Sequence, residues 1–150
     1  MKGVETVLSE EIKELLQGQS IVFCNVYNKN MGKVLSSALS WVFAIDHKTI
    51  RFAVDSKSKI LETVKERGFI SLSFFAGESV YSISGPSSLI TEKAENMTLK
   101  MAIIEVEVEE VRDITFYGAQ ITQEPRFVKT YKESLIKKLD HEVKEAVYAY

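Results

Sequence analysis

Apolar residues recur with the period of an α-helix in three segments of the chain. The first is Ser9–Leu16, where Ser9 can cap the helix and Gly18 can end it. The second begins at Asp55-Ser56-Lys57-Ser58 and is closed by Gly68. The third begins with Pro125 at its first position and runs toward Tyr148. Its predicted apolar stripe consists of Val128, Tyr131, Leu135, Leu139 and Val143.

Other segments are rich in β-branched and aromatic residues or alternate polar with apolar positions, and these predict strands. They are residues 20–27, 33–45, 50–54, 69–76, 80–90, 100–111 and 115–121. Most of the connections are tight turns, such as 28–32 and 46–49, so the sheet is expected to be mainly antiparallel. Gly85-Pro86 predicts a bulge or an edge position within the strand 80–90.

These elements predict a mainly β fold. Six or seven antiparallel strands with few helices must protect their edges, and closure into a small barrel with peripheral helices is the usual solution. The chain has only two prolines and no Gly-, Ser- or Pro-rich linker, so residues 1–150 are expected to form a single domain.

Composition narrows the possible chemistry. The chain has 150 residues and a net charge of −2, which argues against a nucleic-acid partner because such domains are usually basic. One Cys and two His exclude an intrachain disulfide framework and leave little for a structural zinc site or a catalytic triad. Any catalysis is therefore expected to depend on a cofactor.

The expected location is the cytoplasm. No apolar run reaches the ~18–20 residues that a membrane helix needs. Residues 1–14 contain four glutamates and no apolar core, unlike a signal peptide, and one Cys is consistent with a reducing compartment.

Individual reactive residues have ordinary interpretations. Cys24 lies inside a predicted strand, where a thiol usually acts as a small buried hydrophobe. His47 in a turn and His141 on the last helix are expected to face solvent. Glu105, Glu107 and Glu109 alternate along one strand and are more typical of a solvated face than of a cation site.

The segment Asp55-Ser56-Lys57-Ser58-Lys59 leaves a strand and opens a helix. Unpaired backbone N–H groups, two hydroxyls and two lysines at such a point can hold a phosphate without a Gly-rich loop. The alternative is that a serine merely caps the helix and the lysines are solvated.

A second polar feature interrupts the long strand 33–45. Ser36-Ser37-Ala38-Leu39-Ser40-Trp41 places small polar residues and the only Trp where a barrel core would be apolar. A planar ring laid against this strand could use its backbone and hydroxyl groups. The alternative is that Ser37 and Ser40 face solvent.

Taken in order, these stretches resemble the pyridoxamine 5′-phosphate oxidase-like family of FMN-binding split barrels. The resemblance consists of SSALSWVFAID, then IRFAVDSKSKILETV, then FISLSFF and YSISGPSSLI, and it extends to about Ile90. It implies a split barrel, FMN as the cofactor, and a homodimer with the flavin at the subunit interface. The residues it implies along the ring are Ser37, Ala38, Leu39, Ser40 and Trp41, and those at the phosphate are Ser56, Lys57, Ser58 and Lys59.

The chain also departs from that family. Ala38 stands where a proline is common, and Lys33-Val34 follows Gly32 where Arg-Pro is common. The C-terminal segment with Trp, Arg and His that handles the vitamin in true pyridoxamine phosphate oxidases is replaced by a charged helix. The resemblance therefore speaks against vitamin B6 oxidation as the reaction.

The expected function is that of a small FMN-binding protein, a flavin-dependent oxidoreductase acting on an unknown small-molecule substrate or electron donor. No catalytic side chain and no metal ligand is assigned. The alternatives are a non-catalytic flavin carrier or sensor, and a relative that uses haem or a deazaflavin. Haem is disfavoured by the poor supply of axial ligands.

Overall fold

The computed structural model describes residues 3–150 and contains eight strands and three helices. The helices are α1 (Glu10–Leu15), α2 (Ile60–Lys65) and α3 (Glu133–Ala149). The strands are β1 (Val22–Asn28), β2 (Lys33–Leu39), β3 (Val42–Ala44), β4 (Thr49–Asp55), β5 (Phe69–Ala76), β6 (Ser79–Thr91), β7 (Met101–Glu107) and β8 (Glu110–Asp113). No helix within residues 3–150 is both long and apolar enough to cross a membrane.

All strand pairs are antiparallel, and the sheet runs in the order β2-β1-β5-β6-β7-β4-β3, with β8 paired to β6 beside this path. β2 and β3 lie at opposite ends of the path, yet only Ser40 and Trp41 separate them in the chain. Three Cα–Cα steps span at most about 11 Å, so the two edges must meet at this point. The sheet is therefore curled into a split barrel with peripheral helices, which confirms the predicted fold class.

The predicted strand 33–45 is the largest departure among the strands. It is two strands, because Leu39 is the last residue paired with β1 and Val42 is the first paired with β4. The residues between them carry the chain from one edge of the sheet to the other. In the same way, the predicted strand 100–111 divides into β7 and β8, which pair with different partners.

The C-terminal part of the prediction is wrong at two places. Residues 115–121 are not a strand, because the chain turns at Gly118, whose φ is +83°, and Phe116 and Tyr117 are exposed. Pro125 does not open the last helix: the chain stays irregular through residue 132, and α3 begins at Glu133. Its buried residues are Leu139, Val143, Ala146 and Val147, whereas Val128 is 85% exposed.

Gly85-Pro86 is neither an edge nor a bulge. Both residues stay in register with β5 in a central strand, and the register shift falls between Leu89 and Thr91. A Cβ atom at Gly85 would lie 1.7 Å from the carbonyl oxygen of Glu107. Glycine is required here because β6 changes partner from β5 to β7 and the backbones approach closely.

Two apolar clusters hold the elements together. The larger fills the interior of the curled sheet with residues such as Phe52 and Leu72, and α1 and α2 contribute Ile12 and Ile60 to it. The smaller lies outside the sheet, where α3 packs on β3, β4 and β7. This outer cluster includes Trp41 at its margin, and so connects α3 to the point where the sheet edges meet.

Candidate functional site

A cavity of about 320 Å³ opens where β2, β3, β4 and the segment before α2 converge, and we call it the ring cavity. It brings together six of the nine predicted site residues: Ser37, Ala38, Leu39, Ser40, Trp41 and Ser58. The remaining lining residues are Ala53, Val54, Asp55, Ile60, Met101, Lys129 and Tyr131. Two predicted features that are about twenty residues apart in the chain thus face one space.

Two hydroxyls of the ring cavity are available to a ligand. Within residues 3–150, neither Ser37 nor Ser40 uses its hydroxyl in a hydrogen bond, although both residues are half-buried. The floor is apolar, since Val54, Ile60 and Ala53 are buried core residues. Such a mixture, an apolar surface with a few convergent hydroxyls, is typical of a site for a planar heteroaromatic molecule.

The predicted phosphate group is only partly assembled. Asp55 accepts the N–H of Lys57 at 2.8 Å, and Ser58 accepts the N–H of Ile60 at 3.3 Å. The hydroxyl of Ser56 donates to the carbonyl of Glu92 at 2.7 Å. The segment therefore satisfies most of its own backbone donors, so lysine side chains would have to supply the charge for a phosphate.

The two lysines of this segment, Lys57 and Lys59, are exposed and do not line the ring cavity. Lys59 lies 3.4 Å from the carboxylate of Glu62. The pKa of Glu62 is lowered, first by the hydrogen bond from Asn28 and further by Asn30 and Lys59. Because Glu62 stays ionised, it competes with any anion for Lys59. The helix also begins later than predicted, at Ile60.

The wall opposite β2 was missed by the sequence prediction. Lys129 and Tyr131 line the ring cavity from the irregular segment before α3. Asp140, on α3, accepts the indole N–H of Trp41 at 2.8 Å and the ammonium of Lys129 at 2.5 Å. The ammonium also lies 4.6 Å from the centre of the Trp41 ring. The polar edge of Trp41 is therefore engaged by this wall.

Nothing in the sequence identified this wall. Val128 and Tyr131 match the helical spacing of Leu135 and Leu139, so the sequence predicts a continuous stripe from Pro125 onward. The four buried residues of α3 instead start at Leu139, although α3 begins at Glu133, so apolar spacing does not mark where the helix starts. The contact of Asp140 with Trp41 joins positions 99 residues apart and has no local signal either.

Two further cavities adjoin the ring cavity. One, of about 350 Å³, shares Ala38, Leu39 and Ser40 with it and is closed by residues 127–131. The other, of about 660 Å³, is a groove between α1, the end of β5 and residues 124–129, and Asp140 lies in its wall. Lys129 lines all three cavities.

The other reactive residues have the ordinary roles expected. Cys24 is buried, and burial raises the pKa of its thiol to about 12, so it is not a nucleophile at neutral pH. His47 is exposed and contacts the carbonyl of Leu8 and the carboxylate of Glu10, and His141 is exposed on α3. Within residues 3–150, no three His, Cys, Asp or Glu side chains are grouped as a metal site requires.

The sequence matches no protein-family model and no curated protein. Solved structures do match. HupZ from Group A Streptococcus is 18% identical, with a TM-score of 0.60 over 75% of this chain and 98% of that one. A putative pyridoxamine 5′-phosphate oxidase from Lactobacillus delbrueckii is 13% identical, with a TM-score of 0.60 over 72% and 95%.

A third structure is an FMN-binding protein from Syntrophomonas wolfei, 17% identical, with a TM-score of 0.52 over 71% of this chain and 86% of that one. At these identities the likeness establishes a shared fold. The fold is that of pyridoxamine 5′-phosphate oxidase-like and FMN-binding proteins, as the resemblance in the sequence predicted. About a quarter of this chain lies outside the fold shared with each of them.

Proposed function

We propose that this chain is a small FMN-binding protein that acts as a flavin-dependent oxidoreductase. The observation that carries the proposal is the ring cavity, which joins the hydroxyls of Ser37 and Ser40 to the segment at Ser58 over an apolar floor. Fold likeness to an FMN-binding protein supports the choice of cofactor. The convergent hydroxyls over an apolar floor therefore fit a planar flavin ring.

The roles of the chain's own groups follow from their positions. The backbone and hydroxyls of residues 37–40 would orient the heteroatoms of the ring, and Trp41 would border it. Lys57, Ser58 and Lys59 would hold the phosphate, with Lys59 leaving Glu62 to do so. Ser56 would keep the segment in place through its bond to Glu92. A bound flavin supplies the electron or hydride transfer, and the protein binds, orients and excludes water.

The active form is proposed to be a homodimer in which residues 1–150 of each chain form one flavin-binding domain. The ring cavity, at about 320 Å³, is at the low end of the ~300–1,000 Å³ range of small-molecule sites. A second copy beside the exposed lysines would complete the walls around the rest of the cofactor. The substrate or electron donor would be a small molecule that reaches the ring.

An FMN titration of the purified protein tests the binding step. We expect saturable quenching of flavin fluorescence, and Lys59→Ala should weaken affinity about tenfold because one charge-assisted contact to phosphate is lost. Lys137→Ala is the matched control, since Lys137 is an exposed lysine on α3 that also pairs with a glutamate, Glu133, and does not line the ring cavity. No binding by the wild type, or equal losses in both variants, contradicts the proposal.

Anaerobic reduction separates an oxidoreductase from a carrier. The FMN-loaded protein is mixed with NADH or NADPH and the flavin absorption band is followed. Bleaching of the band within seconds to minutes supports turnover. Tight FMN binding with no reduction by either nucleotide supports the proposed flavin binding and contradicts the proposed oxidoreductase activity.

A further inference from the structure

Residues 122–131 form an exposed strap between β8 and α3. Lys129 is the only residue of the strap that is not exposed, and 15% of its side chain is accessible. Within residues 3–150, no backbone group of the strap bonds to another backbone group. The strap is thus attached to the rest of the fold mainly at one side chain.

That attachment is polar. The ammonium of Lys129 contacts the Asp140 carboxylate at 2.5 Å and lies over the Trp41 ring at 4.6 Å. Asp140 is at the same time the acceptor for the Trp41 indole N–H. We call these three residues the latch. An ordinary anchor for an irregular segment would be an apolar side chain buried in the core, yet Phe127 and Val128, which directly precede Lys129, are exposed.

The latch stands at the boundary between the cavities. Lys129 lines the ring cavity, the 350 Å³ cavity beside it and the 660 Å³ groove. Residues 127–131 line the 350 Å³ cavity together with Ser40, and Lys129 and Tyr131 also line the ring cavity. Among the described residues, Lys129 is the one that lines all three cavities.

From these positions we infer that the strap is a lid and that the latch of Lys129, Asp140 and Trp41 holds it closed over the ring cavity. Opening breaks the ion pair and the cation–π contact but buries or exposes little else, because the apolar side chains of the strap are already exposed, so the latch is the main barrier to opening. A planar ligand would enter as the strap lifts and would be retained when Lys129 returns to Asp140. The identity of that ligand rests on the proposed function, whereas the latch does not.

The latch is tested first without any ligand. Phe127 and Tyr131 are exposed chymotrypsin sites within the strap, and Phe116 and Tyr117 are exposed sites outside it that serve as an internal reference. Lys129→Gln and Asp140→Asn should raise the rate of cleavage at the strap sites about five- to tenfold relative to the reference sites, because cleavage follows the open population. Lys129→Arg, which keeps the charge, should remain close to wild type.

Lys132→Gln is the matched control. It removes a positive charge at the end of the same segment, and Lys132 has no side-chain ion pair or hydrogen bond within the described residues. Trp41 is the only Trp, so its quenching by acrylamide reports whether the ring is uncovered. Quenching should increase in Lys129→Gln and stay unchanged in Lys132→Gln.

Stopped-flow mixing with FMN then tests the lid. Lys129→Gln should raise both the association and the dissociation rate, while Lys132→Gln leaves both unchanged. Strap cleavage that is equal in wild type, Lys129→Gln and Asp140→Asn overturns the latch. If instead the variants are cleaved faster while the wild type binds no FMN, the latch stands and the proposed function fails. Circular dichroism verifies that each variant is folded. If Lys129→Gln is unfolded, the rate of strap cleavage in Asp140→Asn is compared with that in Lys129→Arg.

Discussion

Cys24 is 1% exposed on the interior face of β1, and burial raises the pKa of its thiol from 9.0 to about 12. The only thiol of the chain is therefore protonated and shielded in the folded state. We expect Ellman's reagent at pH 8 to label Cys24 no faster than the protein unfolds, and added denaturant to accelerate labelling. Rapid labelling in native buffer would contradict this interpretation.

The same shift predicts a pH effect on stability. The thiol of the unfolded chain ionises at lower pH than the buried thiol, so the folded state binds the proton more tightly. The contribution of Cys24 to the free energy of unfolding is therefore fully present below about pH 9 and is lost as the pH rises toward 12. Urea titrations should show a loss of stability across this window that is smaller in Cys24→Ala, in which only the lysines and tyrosines still titrate.

Arg51 links three elements through one guanidinium. It donates to the Glu105 carboxylate on β7 at 3.0 Å and to the carbonyl of Val147 at 3.0 Å and of Tyr150 at 3.2 Å, near the end of α3. Cationic groups at a helix C-terminus satisfy free carbonyls and favour the helix dipole. We expect Arg51→Met to lower the free energy of unfolding by about 2–3 kcal/mol in urea titrations, since Glu105 is left unpaired.

Arg112→Met is the control for that change. Arg112 also pairs with a glutamate, Glu110, but about half of each side chain is exposed. Exposed pairs contribute little, so this variant should stay close to wild type. Equal losses in the two variants would show that Arg51 does not stabilise α3 as the geometry indicates.

At the scale of the elements, Gly85 allows β6 to pair with β5 along its first part and with β7 along its second part. The strand pairs with β5 up to Pro86 and with β7 from Ser87. An added Cβ would meet the carbonyl of Glu107 at 1.7 Å, and a backbone atom cannot move aside as a side chain can. Gly85→Ala should therefore cost more than about 3 kcal/mol or prevent folding, as measured by thermal unfolding.

Gly3→Ala is the matched glycine control, because no atom lies within 4 Å of its added Cβ. It should leave the melting temperature unchanged. A Gly85→Ala protein that is as stable as wild type would mean that β6 does not approach β7 as closely as the structure has it.

The elements also show what a sequence can predict. The strand 69–76 was predicted with its true bounds, because its alternation of buried and accessible residues is complete within eight positions. The break between β2 and β3 at Ser40 is not predicted, because the local pattern of residues does not reveal that the two strands pair with different partners. The same limit applies to the site. Local chemistry and the family resemblance together predict Ser37–Trp41 and Ser58, which line the ring cavity in the structure, whereas Lys129 depends on a helix start that tertiary contacts decide.

At the scale of the whole molecule, the two sides of the sheet are unequally covered. The outside of β3, β4 and β7 is covered by α3. The outer face of β1, β2 and β5 instead carries Tyr27, Val34 and Phe69, which are 54%, 62% and 60% exposed. Tyr27 pairs with Val34, and the register of β1 with β5 brings Phe69 beside it. Adjacent exposed apolar residues of this kind usually mark a protein–protein interface.

We expect this apolar face to be the surface through which the proposed homodimer forms. Phe69→Glu introduces a charge into this face and should convert the protein to a monomer at about 10 μM in analytical ultracentrifugation, because stable dimers bury roughly 800 Å² per chain and their buried cores are depleted of charged residues. Leu99→Glu is the control, as Leu99 is an exposed apolar residue in the loop before β7. Since a second copy is proposed to complete the cofactor site, FMN affinity should fall in Phe69→Glu alone. A monomeric wild type, or a monomeric variant with full FMN affinity, would contradict that arrangement.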